Sequence, residues 1–250
     1  MKRNKSILYT TMLAVLLSLV GVSCSTTARL GEGEVLYTGV KKLNYKENNT
    51  KIDGDVQDQI FEAIDVAPNN SLYSPYYRTP FPIGLWVYNH WNPNAKGLKG
   101  WLYRKLVSQP VLVSRVRPET RVDMINTLLR NNGYFTSSAS YKLNYSSKNK
   151  KKASITYDVK VNEPYCLGEL KYLNMGTPLT DIIDSVAKKN SYFQTGNRYC
   201  LDSLNAVRIE ITNVLRNKGY YYFKPEYLEY ELWCVPAEQF SACERGKLYR

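Results

Sequence analysis

The chain has 250 residues, enough for one large or two small domains, and 44% of them are hydrophobic, an ordinary share for a globular protein. Its formal net charge of +12 would suit nucleic acid, an anionic membrane surface or an acidic polymer as a partner. Because His90 is the single histidine, a histidine-based catalytic triad and a multi-histidine metal site are excluded within one chain.

The N-terminal segment is typical of an export signal. It begins with three basic residues, and the apolar core from Ile7 to Val20 is short for a membrane-spanning helix. Small residues then lead into Cys24, as in lipoproteins, whose cysteine is acylated. We therefore predict a signal peptide over residues 1–23, a lipid anchor at Cys24 and a tether over 24–34. Ordinary cleavage nearby is the alternative, because Gly21 stands where such signals usually have leucine. Export argues against nucleic acid as a partner.

Hydrophobic spacing predicts the elements that follow. Val35–Tyr45 is spaced like a strand, and Gly54–Ala67 has helical spacing that Pro68 stops. Segment 72–91 is rich in aromatic residues, and its prolines argue against a regular helix at its beginning. Trp101–Val107 is predicted to form a short, basic helical turn.

The middle of the chain predicts a helix and a hairpin. Pro118–Asn132 carries an apolar stripe, and Gly133 follows it where a helix commonly ends. Alternation predicts strands at Tyr141–Tyr145 and Ile155–Val161, joined by a lysine-rich loop.

A similar order of elements then recurs. Tyr165–Asn174 is a predicted strand, Pro178–Lys189 a predicted helix, and a second helix is predicted from Asp202 or Ser203 to Lys218. The aromatic-rich segment Tyr220–Leu232 is a predicted strand.

The recurrence is visible in the sequence itself. Leu128–Tyr134 reads LLRNNGY and Val214–Tyr220 reads VLRNKGY, 86 positions later. In each copy the glycine permits a left-handed turn at the helix end, and the tyrosine, Tyr134 or Tyr220, is expected to pack across that end. The pattern predicts two copies of a strand–helix–helix–strand–strand unit.

This repeated unit resembles the POTRA domain of the BamA/TamA superfamily of outer-membrane assembly proteins. Three further segments, Ile83–Pro93, Lys99–Leu106 and Pro110–Leu112, resemble the TamL-type lipoproteins of Bacteroidota. The start of the mature chain, Cys24–Thr27 and Leu36–Val40, resembles the same group.

The resemblance implies an α+β fold of tandem POTRA-like β-α-α-β-β units. The first unit would span 35–163, with a long aromatic and proline-rich insertion at 69–110. The second, incomplete unit would span 164–232, with an atypical tail at 233–250. Because the family's barrel needs hundreds of residues, we expect no β-barrel in this chain and a truncated product or isolated fragment.

The resemblance also implies a role in assembling or translocating outer-membrane proteins, with the chain lipid-anchored at the outer membrane and facing the periplasm. The exposed edge of a POTRA sheet would receive client or partner strands by β-augmentation. Candidate edge residues are Tyr141, Leu143 and Tyr145 on one strand, or Tyr220 and Tyr222 on another. Unfolded outer-membrane proteins and periplasmic or inner-membrane assembly factors would be the partners.

Other functions have weaker support in the sequence. The aromatic segment 73–91 could bind glycans or peptides or lie at a membrane interface, although core packing is the plainer interpretation. The lysine run between Lys148 and Lys152 fits a solvated loop tip. No catalytic motif, metal or cofactor signature is present, so we predict no enzyme and no cofactor. Beyond Cys24, the four remaining cysteines allow three disulfide pairings.

Overall fold

The computed structural model describes residues 26–47, 51–72, 74–168, 178–234 and 246–249. Cys24 lies outside these residues, so its lipidation stays a prediction, and so does most of the predicted strand Tyr165–Asn174. Cys166 is disulfide-bonded and Cys200 is a free thiol, so the two complete disulfides that the four cysteines could have formed are not both present.

The structure is of the α+β class, as predicted. The strands are β1 (Leu36–Glu47), β2 (Ser71–Leu72), β3 (Ser74–Arg78), β4 (Ser138–Tyr145), β5 (Lys152–Val161), β6 (Glu231–Cys234) and β7 (Gly246–Tyr249). The helices are α1 (Gly54–Ile64), α2 (Ile83–His90), α3 (Gly97–Leu106), α4 (Val113–Val116), α5 (Pro118–Asn131), α6 (Pro178–Lys189) and α7 (Leu201–Asn217). A 3-10 turn spans Pro225–Tyr227. Among the described residues, no helix combines the length and apolarity needed to cross a bilayer.

The largest sheet has the strand order β1-β5-β4. The Leu36 amide donates to the Lys151 carbonyl (2.8 Å), and further along Asn44 donates to Asp158 (2.7 Å), so β1 and β5 run parallel. β4 and β5 form a hairpin that the Ser146 amide closes by donating to the Lys152 carbonyl. Because α1 and α5 lie between β1 and this hairpin in the chain, the order is β-α-α-β-β with an insertion between the helices.

Burial follows the predicted periodicities. Every second residue of β5 from Ala153 to Val161 is buried, and α1 and α5 bury Ile60, Ile125 and Leu129 on their apolar stripes. The four amphipathic helices predicted at 54–67, 118–132, 178–189 and 202–218 are confirmed. Each begins and ends within three residues of the predicted positions. The predicted strands at 35–45, 141–145 and 155–161 are also confirmed.

The predicted strand Tyr220–Leu232 is wrong. The chain turns after α7, enters the 3-10 turn and becomes a strand only at Glu231. Pro225 stands 86 positions after Ala139, which lies in β4 of the first copy. Proline has no amide hydrogen and favours the first turn of a helix, so the second copy forms a 3-10 turn where the first copy has a strand. The atypical tail contains β7, which pairs antiparallel with β6.

The described residues divide into two compact units. Those within Met1–Gly39, Val66–Val116 and Leu143–Ser154 form the first, and those within Val40–Asp65, Arg117–Lys142 and Ile155–Arg250 form the second. The core of the first includes Leu30, Leu36, Leu85 and Leu112. In the second, α6 and α7 pack through Val186, Val207, Ile211 and Leu215.

Candidate strand-docking edge and the Gly133 junction

The outer side of β4 is one edge of the largest sheet. The Ser146 amide bonds to Lys152 and the Ser140 hydroxyl to the Asp158 carbonyl, so even-numbered residues of β4 point their main-chain groups towards β5. Odd-numbered residues, including Leu143 and Tyr145, therefore direct their main-chain groups away from the sheet. No strand among the described residues lies on that side.

The opposite edge of the sheet is covered where β1 begins. The Tyr37 amide donates to the Val111 carbonyl (2.8 Å), and the Val113 amide donates to the Val35 carbonyl (2.9 Å). Leu36 and Leu112 form an antiparallel bridge between these bonds. The segment that follows α3 thus occupies this edge at the first residues of β1, whereas no described strand pairs with the outer side of β4.

Helix α5 lies beside β4 and contacts it through one face. The Ala139 amide donates to Asn126 Oδ1 (2.8 Å), and the Tyr141 hydroxyl donates to the Glu119 carboxylate. This second bond, with the main-chain amide of Glu119, lowers the pKa of the Glu119 carboxyl. Glu119, Val122 and Asn126 share one helical face, so Val122 lies between the two polar contacts. Both polar contacts lie beside the first half of β4, with the apolar position between them.

A carboxylate joins the three strands of the sheet on its other face. Asp158 of β5 accepts from Asn44 of β1 and forms an ion pair with Lys142 of β4 (3.0 Å). The hydrogen bonds from Asn44 and then from Lys142 lower the pKa of Asp158. The bonds hold β4 in register with β5 and leave its outer side uncovered.

Gly133 ends α5 in a crowded place. Its φ of 87° is in the left-handed region, and a Cβ there would lie 3.0 Å from the carbonyl oxygens of both Tyr165 and Tyr199. The Tyr165 amide also donates to the Gly133 carbonyl (2.8 Å). Only glycine meets both requirements without displacing the backbone around it.

Tyr134 is fully buried next to this turn. Its hydroxyl oxygen accepts the amide of Asp53 (3.2 Å), the N-cap residue of α1, and burial raises the pKa of the phenol. Tyr134 thus connects the end of α5 to the start of α1. The expected packing of the tyrosine at the helix end agrees with this position.

Arg198 surrounds the same junction with polar contacts that the sequence did not reveal. It forms ion pairs with Asp53 (2.8 Å) and Asp55 (2.9 Å), and it donates to the carbonyl and side-chain oxygens of Asn132 (3.2 and 3.3 Å). Its guanidinium carbon also lies 5.8 Å from the centre of the Tyr134 ring. No motif surrounds Arg198 in the sequence, and the ion-pair and hydrogen-bond partners of its side chain lie 66 or more positions away.

The second glycine–tyrosine pair, Gly219 and Tyr220, ends its helix in the same way as Gly133 and Tyr134, but it lacks the close backbone contacts of the Gly133 junction. Gly219 has φ of 101°, and the amides of Gly219 and Tyr220 donate to the carbonyls of Arg216 and Leu215. The amides of Gly133 and Tyr134 make the equivalent bonds at the end of α5. A Cβ at Gly219, however, would meet nothing within 4 Å.

The predicted edge residues separate in the structure. Tyr141, Leu143 and Tyr145 lie on β4, where their main-chain groups share one side. Tyr220 and Tyr222 lie in the turn after α7, outside any strand, and Tyr222 is 92% exposed. We therefore place the candidate edge on β4 alone.

Among the described residues, no group of three or more His, Cys, Asp and Glu side chains converges on one point. A cleft of about 590 Å³ lies between α1 and α5, with Ala63, Met124 and Leu128 in its lining. The guanidinium of Arg121 in this cleft already donates to the Ala63 carbonyl (2.7 Å). In the aromatic segment, Trp86 stacks on His90 at 5.1 Å and buries its indole nitrogen, which fits packing.

No protein-family model and no curated protein sequence matches the chain. Among solved structures, it is similar to POTRA domains 1–2 of the periplasmic domain of Omp85 from Anabaena, at 12% identity and a TM-score of 0.36, over 86% of this chain and 93% of that one. It is also similar to POTRA domains 1–3 of the same protein, at 13% identity and a TM-score of 0.37, over 88% of this chain and 62% of that one. A third similar structure, POTRA domains 3–5 of Haemophilus influenzae BamA, has 12% identity and a TM-score of 0.29, over 88% of this chain and 98% of that one. At these identities and TM-scores, we draw no conclusion about function from the three structures.

Proposed function

We propose that this chain is a periplasmic POTRA-type module of an outer-membrane protein assembly or translocation factor, related to the BamA/TamA class. It binds extended segments of client or partner proteins by strand addition at β4. The observation that carries the proposal is the accessible outer side of β4 in a β-α-α-β-β sheet whose other edge is covered where β1 begins. Residues 35–163 and 164–232 would form the two POTRA-like units.

The β4 edge suits a receiver of varied sequences. Leu143 and Tyr145 each offer one amide and one carbonyl, and an added strand pairs with such groups whatever its own side chains are. Each main-chain hydrogen bond contributes about 0.5–1.5 kcal/mol net. Four such bonds support weak, reversible binding, as the transfer of a client segment requires. The Ala139 amide already donates to the Asn126 side chain, so pairing with an added strand would be confined to the later part of β4.

A matched pair of variants at Leu143 tests the proposal. Leu143→Pro removes an amide that points away from the sheet, and Leu143→Ala truncates the side chain while keeping that amide. Affinity for fluorescent peptides of alternating apolar and polar residues, as in outer-membrane strands, is measured by polarisation. Loss of one or two hydrogen bonds predicts about tenfold weaker binding by the proline variant than by the alanine variant.

Circular dichroism spectra must first show that both variants keep the wild-type fold. Equal peptide affinity in the two variants contradicts strand addition at this edge, and so does an absence of peptide binding by the folded wild-type chain.

We further propose that Cys24 is acylated and anchors the chain in the outer membrane. Radiolabelled palmitate fed to expressing cells should enter the wild-type chain and not the Cys24→Ala variant. Equal labelling of both chains, or of neither, contradicts the anchor.

A further inference from the structure

The segment 66–116 carries charge of one sign only. It contains no Asp or Glu, and its basic residues are Arg78, Lys96, Lys99, Arg104, Lys105 and Arg115. The four between Lys96 and Lys105 are exposed on or next to α3, and none forms an ion pair with another described residue. Such a cluster attracts an anionic surface, because no nearby carboxylate neutralises it.

Helix α3 turns its apolar side outward. Leu98, Trp101, Leu102 and Leu106 follow i, i+3, i+4 and i+8 spacing and so share one face. Leu98 is 73% exposed and Trp101 52% exposed. Gly100, the buried residue of the helix, lies on the opposite face, where a Cβ would collide with the Ala95 carbonyl. The helix therefore has its buried glycine on one face, close to the turn that precedes it, and exposed apolar side chains on the other.

The apolar surface continues beyond this helix. The Ser108 amide donates to the Gly84 carbonyl (3.1 Å), and a Cβ at Gly84 would lie 2.7 Å from the Leu106 carbonyl. The start of α2 thus lies against the end of α3. Two residues near Gly84 in the chain, Phe81 and Ile83, are also exposed. We call these apolar residues, together with the four cations from Lys96 to Lys105, the α3 surface.

We propose that the α3 surface docks on an anionic phospholipid bilayer, with α3 lying in the plane of the headgroups. Apolar side chains enter the boundary of the acyl chains, and the cations remain at the phosphates. Lys105 lies within the apolar stripe, where its long side chain can still reach the headgroup level. The absence of any carboxylate over 51 residues favours a surface of uniform negative charge over a protein partner of mixed charge. This docking is independent of strand addition at β4.

Quenching of tryptophan fluorescence by brominated phospholipids tests the contact. The full chain is reconstituted in vesicles of phosphatidylcholine, or of phosphatidylcholine and phosphatidylglycerol in equal parts. All samples contain residues 1–25, so the N-terminal segment does not distinguish them. The chain has four tryptophans, and comparison with Trp101→Phe isolates the part due to Trp101. We expect quenching of Trp101 on the anionic vesicles, with much less on phosphatidylcholine and at about 0.5 M salt.

Charge variants measure how much the cations of the α3 surface contribute to docking. A basic residue near an anionic membrane changes the ratio of docked to undocked chain roughly fivefold, so Lys99→Gln with Lys105→Gln should lower that ratio about 25-fold. The control, Lys148→Gln with Lys150→Gln, removes the same charge from exposed lysines of the β4–β5 loop and should leave Trp101 quenching nearly unchanged. Equal quenching on both vesicle types, equal effects of both charge pairs, or protection of Trp101 by glycans and not by lipids would overturn the proposal.

Discussion

Replacement of Arg198 by alanine tests how the Gly133 junction is held. The Arg198 side chain is 20% exposed, and its ion-pair partners Asp53 and Asp55 are 52% and 57% exposed. Pairs with such exposed carboxylates contribute about 0.5 kcal/mol each. The two long hydrogen bonds to Asn132 contribute about 0.5 kcal/mol each, and a buried Asn132 carbonyl left without this donor costs about 1 kcal/mol more.

The expected loss for Arg198→Ala is therefore about 2–3 kcal/mol of the free energy of unfolding. In a chain of this size, that corresponds to a fall in Tm of roughly 5–10 °C by far-UV circular dichroism. Arg198→Lys keeps the charge and loses the planar fork that reaches several acceptors, so it should recover only part of this stability.

Arg130→Ala is the matched control. Arg130 lies on α5, is exposed, and makes no ion pair with the other described residues. Its replacement should change stability by less than about 0.5 kcal/mol. If Arg198→Ala and Arg130→Ala unfold at the same temperature, the contacts of Arg198 contribute nothing measurable and the reasoning is refuted.

Three further outcomes follow from the structure. Gly133→Ala should cost about 3 kcal/mol and Gly219→Ala only about 1–2 kcal/mol, because both need a positive φ and only Gly133 also meets two carbonyls; equal losses of Tm would contradict this. Tyr157→Phe should leave neutral-pH stability unchanged or raised, because the buried hydroxyl has no hydrogen-bond partner among the described residues. Burial raises the pKa of Tyr157 in the folded chain to about 12, above its ordinary value of 10.0. The free energy of unfolding of the wild type should therefore fall as the pH rises from about 10 to about 12, and Tyr157→Phe should not show this fall. The lowered pKa of Asp158 makes its stabilisation fade as pH falls through the acidic range, so denaturant curves of wild type and Asp158→Asn should converge there; a constant gap would contradict it.

Much of the local structure was predictable because its causes are local. An apolar stripe at helical spacing predicted α5 and α7, and alternation predicted β5, since each pattern buries one side of one element. The glycine after each of these helices was predictable for the same reason. Both Gly133 and Gly219 adopt the left-handed turn, although only the first meets a neighbouring backbone.

Other features depended on residues far apart in the chain. The predicted strand after α7 failed at Pro225, whose effect could have been inferred by aligning it with Ala139. The partners of Arg198 could not be inferred, because Asp53 and Asn132 approach it only when three distant segments pack together.

The amino-acid sequence by itself determined the four amphipathic helices, the strands of the largest sheet, the excess of positive charge and the side of each helix that is apolar. Only the tertiary structure decided which sheet edge is accessible and which apolar stripes are buried. Residues 111–113 cover the start of β1 while no described strand pairs with the outer side of β4, and no property of β4 itself encodes that. The stripe of α3 is exposed, with Leu98 and Trp101 open to solvent, although its spacing matches that of the buried stripes. Composition records how much apolar surface a chain has, and packing between distant segments determines where that surface is left exposed.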